Sequence, residues 1–367
     1  MGKTEAHIRL LCVAAAALIL LLGTGCGSNA ESAGTGSGAG TEAVLLNTGD
    51  PQGVAPETEA GNSPSEGGLS DESETAGAAG ITETADPEHR GITSEEIALD
   101  WLLKHDLDPS AEELDLSGIS VRGVDMDAVF AQCPQLKRVT MIDCGLTNRG
   151  YSVLQDKHPE IRIIWEIVLS HWTVRTDAVA FGTFKTTADT FFMDNEEAHY
   201  LRYCTDLVAL DLGHNYVSNL SFLEYMPELK ILILVDNVRL VDGDHLRHLT
   251  DLSELRYVPK LRYLEFFANN VSDFSFLQYL PELEDLNISY NSVYSIEYLT
   301  DLPNLKRLWM EHTNIPEYAC AQLRQIYPYT QIVSEGEGSI DQGWRSGPRY
   351  SAMRHMLREN VIDEIYQ

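Results

Sequence analysis

His245 and His248 stand three residues apart in Asp242-Gly243-Asp244-His245-Leu246-Arg247-His248. Two imidazoles beside two carboxylates are groups that can hold a divalent metal. The run lacks the spacing and closing glutamate of a calcium loop, and no HExxH occurs, so it reads as a polar loop and no metal is assigned. Asp125 and Asp127 read as solvated carboxylates. Cys133, Cys144, Cys204 and Cys320 are scattered singly, without a CxxC pair, which excludes a zinc ribbon or a dithiol redox site. Neither Cys133 nor Cys204 sits in the basic, exposed setting that activates a thiol, and the disulfide state of all four stays open. Trp344, Arg345, Arg349 and Tyr350 form either a basic-aromatic pocket or a cap packed on coil edges. GxSxG, P-loop and GxGxxG motifs are absent. The expectation is a protein that binds rather than an enzyme, with no cofactor.

The elements that carry these residues begin with an address. Lys3 and Arg9 precede the apolar run Leu10–Leu22, the length of a signal-peptide core and too short to span a membrane comfortably. Residues 1–25 are read as the signal peptide. Gly23-Thr24-Gly25-Cys26 resembles the bacterial lipobox, which implies cleavage before Cys26 and a lipid on its thiol. The resemblance places the chain on the extracellular face of a cell membrane, in a bacterium of the Gram-positive type.

Residues 26–90 are built from Gly, Ser, Thr, Ala, Glu and Asp, without aromatics. Such a segment buries too little apolar surface to offset its chain entropy and is expected to be a disordered acidic linker. As a flexible coil it would span about 40–50 Å root-mean-square. The whole chain of 367 residues carries a net charge of −30, which argues against nucleic acid as a partner, because a polyanion needs a basic footprint.

Self-similarity is the main signal. Units starting at Leu207, Leu229, Leu261, Leu283 and Leu305 align on LxxLxLxxN, at intervals of 22, 32, 22 and 22 residues. The long interval holds a ten-residue insertion within 238–260. The LxL portion predicts a short strand of alternating faces, its leucines pointing into a shared core. Asn215, Asn237, Asn269 and Asn291 turn inward to satisfy backbone groups that a buried bend would leave unpaired. Upstream, Leu136, Val139 and Met141 repeat the pattern with Cys144 in the asparagine place. Ile161 and Ile164 begin a further unit 25 residues later, and Ala111 one 25 residues earlier. Residues 169–206 are irregular, with room for two coils.

These repeats resemble the leucine-rich-repeat proteins, in particular the 22-residue internalin-like subclass, and the whole chain resembles bacterial leucine-rich-repeat surface lipoproteins. The resemblance implies an α/β solenoid, a right-handed superhelix with a concave parallel sheet that binds proteins or glycans. It divides the chain into a capping helix over 91–110, opened by a Thr93/Glu96 capping box, a repeat domain over 111–333, and a C-terminal cap over 334–367. The tail is expected to cover the open edge of the last coil.

On each strand, positions two, four and six past the first leucine face the concave side. Ile231, Tyr263, Asp285 and Arg307 fall in the first column; Ile233, Glu265, Asn287 and Trp309 in the second; Val235, Phe267 and Glu311 in the third, with Tyr290 just beyond. Ile163 and Trp165 fall in the same columns further upstream. An apolar and aromatic patch of this kind marks an interaction surface, unless the tail or 169–206 folds over it. The expected partner is a protein or a cell-wall glycan. A structural envelope lipoprotein is the alternative, and an enzyme with a site in 169–206 plus the tail comes third.

Overall fold

A capped helix opens the part of the chain that this computed structural model describes, residues 93–184, 191–241, 245–336 and 342–366. The expected signal peptide (1–25), with the linker (26–90) and its Cys26, lies outside the described residues, as do Asp242 and Asp244. Helix α1 (Ser94–Lys104) begins at Thr93, whose hydroxyl accepts the Glu96 N–H at 3.2 Å while the Glu96 carboxylate accepts the Thr93 N–H at 2.9 Å. That reciprocal pair satisfies two donors the helix leaves open. α1 buries Ala98 and Leu102; Ile97 and Leu103 point away, 58% and 59% exposed. The helix therefore packs through a narrow stripe.

Three coils follow. Strands β1 (Glu113–Asp115), β2 (Arg138–Thr140) and β3 (Arg162–Ile164) are parallel, with Leu114, Val139 and Ile163 in register. Helices α2 (Met126–Ala131) and α3 (Asn148–Lys157) form the returns. The β2–β3 offset is 24 residues, one fewer than the Leu136/Ile161 alignment implies. A slip of one residue exchanges the faces of a strand. Ile163 and Trp165 consequently point into the core rather than onto the concave face, and Trp165 is enclosed between Tyr151 and Tyr203, ring centroids 5.7 and 5.0 Å away.

An antiparallel hairpin, β4 (Glu166–Leu169) and β5 (Trp172–Arg175), follows the first sheet as a separate two-stranded sheet and leads into the stretch that looked irregular. A second sheet then begins at β6 (Ala180–Gly182) and continues, beyond α4 (Asn195–Ala198), with β7 (Ala209–Asp211) and β8 (Ile231–Ile233). The ten-residue insertion is a second hairpin, β9 (Val238–Val241) with β10 (His245–His248). It leaves and re-enters the coil at one point, where Asn237 O accepts the Leu249 N–H at 3.0 Å. Strands β11 (Tyr263–Glu265), β12 (Asp285–Asn287), β13 (Arg307–Trp309) and β14 (Gln331–Val333) complete seven parallel strands, with α5 (Glu317–Ile326) returning before β14.

The middle residue of each strand belongs to the core. Leu210, Leu232, Leu264, Leu286 and Leu308 stand in register and are buried, each worth about 1.5–3 kcal/mol relative to exposure. These coils return through 3-10 turns, among them Ser221–Tyr225, Ser253–Tyr257 and Ser275–Tyr279. A side-chain oxygen starts each: Asn219, Asp251 and Asp273 accept the N–H two residues on, at 3.0, 2.8 and 2.8 Å. The longer coils have room for the α-helices α2, α3 and α5.

The asparagines brace successive coils. Asn269 Nδ2 donates to Phe266 O of its own coil at 2.9 Å and to Leu234 O of the preceding one at 2.8 Å, while its Oδ1 accepts the Asn237 N–H at 3.0 Å. Asn291 repeats the arrangement with Ile288 O, Phe266 O and the Val271 N–H. Cys144 keeps the bridge to the preceding coil, its thiol reaching Leu116 O at 3.0 Å. Burial pushes that thiol above its ordinary range. In the fifth unit Asn314 falls one residue late. Thr313 takes the place and donates to Met310 O alone of these partners, at 2.9 Å.

Candidate functional site

The sheet has two faces, and each carries its own apolar cluster. One is the solenoid core. The other joins Ile231, Ile233, Val235, Tyr263, Phe267 and Trp309 to Trp344, Met353, Met356, Leu357 and Tyr366 of the C-terminal segment. On the second sheet the first two columns read from the sequence stand in register on this face, Ile231, Tyr263, Asp285 and Arg307, then Ile233, Glu265, Asn287 and Trp309, and Val235 and Phe267 of the third join the same cluster.

The face is not open. Ile231, Tyr263, Asp285, Asn287, Trp309 and Glu311 have no solvent exposure, and Ile233, Val235, Glu265 and Phe267 have 6% or less. The tail covers them, which corrects the expectation of an exposed patch. Trp344 lies against both Tyr263 and Trp309, ring centroids 5.5 and 5.1 Å away. Helix α6 (Pro348–Glu359) packs on β6 and β7 at the opposite end of the sheet. The physical reason is the patch itself: so many adjacent apolar side chains are costly to hydrate, and Met353, Met356 and Leu357 supply a matching stripe at helical spacing.

Polar contacts fix the tail's position. Asp285 receives Arg307 Nε at 2.5 Å and Arg349 Nε at 2.6 Å, one on each carboxylate oxygen. Glu284 pairs with Arg262 at 3.0 Å, Lys306 at 3.1 Å and Arg349. Burial opposes its charge, but Lys306, Arg349 and Arg262 hold it below the usual carboxylate range. Arg307 donates to Trp344 O at 2.9 Å and its guanidinium sits 4.5 Å from the Trp344 ring centre. Lys230 and Arg262 donate to the carbonyls of Tyr366 and Ile365 at 2.7 and 2.8 Å. At the far end Asn360, which closes α6 in a left-handed conformation, accepts the Val179 and Ala180 N–H groups, both at 2.9 Å. Its amide oxygen thus caps an edge strand that would otherwise present open donors.

Two acids under the tail are held toward protonation. Burial raises Glu265, against the Tyr263 hydroxyl that donates to it at 2.7 Å. Burial raises Asp211 likewise, against the Gly213 N–H at 3.0 Å and Arg354 at 3.5 Å. Asn287 accepts the Ser289 N–H at 3.2 Å, and Tyr290 stacks on His312 at the rim, centroids 4.3 Å apart.

Sequence reasoning missed Lys230, Arg262, Glu284, Met353, Met356, Asn360 and Tyr366 as members of this site. The residue preceding each strand is itself a column, holding Lys230, Arg262, Glu284 and Lys306, and its run of charges was the available signal.

Parallel three-residue strands one coil apart, inward leucines and an asparagine ladder decide the fold. The chain is a leucine-rich-repeat solenoid. No family model matches it, and no curated protein does. Among solved structures, one internalin from Listeria monocytogenes is 19% identical, with 42% of this chain and 73% of that one covered, at a TM-score of 0.30. A second Listeria monocytogenes internalin is 14% identical over 61% and 69% of the two chains, TM-score 0.31. A leucine-rich-repeat protein of Leptospira interrogans is 14% identical over 56% and 50%, TM-score 0.33.

Proposed function

We propose that this protein is an exported, lipid-anchored binding scaffold whose concave sheet face is its ligand surface. The observation that carries the reading is the set of residues on that face. Tyr263, Trp309 and Phe267 stand beside Arg307, Asp285 and Glu265, the mixture of aromatic anchors and arginine that dominates binding energy at protein interfaces. Cys26 would carry the lipid and residues 26–90 would hold the solenoid away from the membrane. A protein ligand fits the face better than a glycan, because its charged groups are already arranged to meet guanidinium groups.

Site-specific photo-crosslinking on intact cells tests this. A crosslinker at Tyr290, on the rim of the face, should give a saturable adduct that one at Tyr329, 99% exposed beyond α5, does not. Equal adduct patterns from the two positions would remove the concave face from consideration. Labelling of Cys26 by a clickable fatty acid, abolished by Cys26→Ser, tests the anchor separately.

A further inference from the structure

We propose that residues 342–366 act as a tethered pseudo-ligand, and that the face beneath them accepts in trans a cationic amphipathic helix from another protein. The inference rests on the reading of that face as the ligand surface and specifies the partner's chemistry.

Three observations carry it. First, the contact between tail and sheet is built unlike the solenoid core. The core side of the sheet is apolar, Leu264, Leu286 and Leu308 with Phe266, Ile288 and Met310 among them, whereas the tail side sets Trp344 and Met353 beside the Asp285, Glu284 and Arg349 ion pairs. Aromatic, methionine and arginine side chains are enriched at interfaces between partners. Second, charge is complementary. α6 carries Arg349, Arg354 and Arg358 against one acid, Glu359, in a chain whose net charge is −30. Arg349 and Arg354 meet Asp285 and Asp211 on the sheet. Third, the Trp344 anchor is set between two glycines of the tail itself. Gly343 and Gly347 take φ of 94° and 104° on either side of the Trp344 anchor, a conformation other residues adopt only with strain.

Tethering makes the tail a strong competitor. Because the tail is part of the same chain, a short tether gives it an effective concentration on the order of 1 mM. A free helix at about 10 µM is then outcompeted roughly 100-fold at equal intrinsic affinity. Cutting the connection, with nothing removed, lowers the tail's concentration to that of the protein, and at about 1 µM the competitor gains up to roughly 1000-fold.

The test places a protease site within 337–341 of the full-length chain and measures exchange of a fluorescent peptide of sequence 342–366 before and after cutting. The expected result is that peptide enters the cut protein at micromolar concentration, at least 100-fold more readily than the intact one. A peptide with glutamine at the three α6 arginine positions should fail. Several results would overturn the proposal: no exchange after cutting, loss of the far-UV circular dichroism of the sheet once the tail is cut, or equal entry of the glutamine peptide. Micromolar dimerisation of the intact chain by exchange of tails would overturn the assignment to a different protein. Failure here leaves the Tyr290 adducts untouched, so the two readings fall separately.

Discussion

Asp285 and Arg349 meet at 2.6 Å across the boundary between the parallel sheet and the C-terminal helix, with Asp285 fully buried and its other oxygen held by Arg307. The pair is the point where a residue of the third-last strand fixes a segment more than sixty positions downstream. Removing the carboxylate leaves two guanidinium groups facing each other without their common partner. Asp285→Ala is therefore expected to lower stability by about 3–5 kcal/mol, the cost of an uncompensated buried charge. Arg349→Ala should cost less, because Arg307 still neutralises Asp285. Denaturant melts measure the first effect. Limited proteolysis within α6 separates tail release from global unfolding.

The asparagine ladder permits a sharper comparison. Asn269→Ala removes two donors and one acceptor that serve buried backbone groups of two coils. At about 1–3 kcal/mol for each group left unsatisfied, the loss should exceed that of a typical core truncation of similar size. Thr313→Asn should be neutral or stabilising, since it offers a second coil-bridging donor where one contact now stands. Hydrogen exchange at Asn237 N–H, which Asn269 accepts, is the local readout; unchanged protection in Asn269→Ala would show that the ladder is not what holds the bend.

Much of this architecture is legible in the sequence because a solenoid is written one coil at a time. The 22-residue spacing from Leu210 to Leu232, and again from Leu264 to Leu286 and Leu308, specifies strand, register and face without reference to distant residues. Legibility fails where that locality fails. The slip of one residue at Ile163 follows from a coil one residue shorter than its neighbour, which shows only in the pairing with Val139. The concave columns were readable, yet their cover was not. Nothing near Tyr263 or Trp309 in the chain announces Trp344, because the two clusters are joined by a connection that no periodicity governs. The stripe of Met353, Met356 and Leu357 marks a helix with a buried side but does not say what it lies on.

The turn after each strand carries a cost that recurs. His214, Asp236, Ala268, Tyr290 and His312 occupy one position of successive coils, and all have φ between 49° and 57°. Asp and His tolerate this region better than Ala or Tyr. Left-handed backbone costs an ordinary residue about 1–2 kcal/mol, partly offset by the entropy that glycine loses on folding. Ala268→Gly should thus stabilise the protein by roughly 0.5–1 kcal/mol, whereas Asp236→Gly should gain nothing because it also removes the contact with His214 at 3.1 Å. Paired melts of the two variants decide the point.

The acids under the tail give the molecule an uncommon response to pH. Glu265 and Asp211 have folded-state values raised by burial. Their folded forms bind protons more tightly than their unfolded forms, so their contribution is fully present below the unfolded carboxylate range, near pH 4, and is lost as pH rises through the folded values. Glu284 runs the other way: its lowered value gives stability that is present above the unfolded range and lost on acidification through its folded value. Acidification from neutral pH toward the carboxylate range should accordingly tighten the tail at Glu265 and Asp211 before loss of the Glu284 ion pairs loosens it. Glu265→Gln keeps an acceptor for the Tyr263 hydroxyl and removes the titration. It should raise the melting temperature at pH 8 more than at pH 5, flattening the profile between them. Arg345 and Arg354, which face these acids from the tail, limit the size of the effect. A wild-type melting temperature that instead climbs steadily from pH 5 to pH 8, unaltered in slope by Glu265→Gln, would mean that the carboxyl is ionised beneath the tail and stabilised there by those arginines.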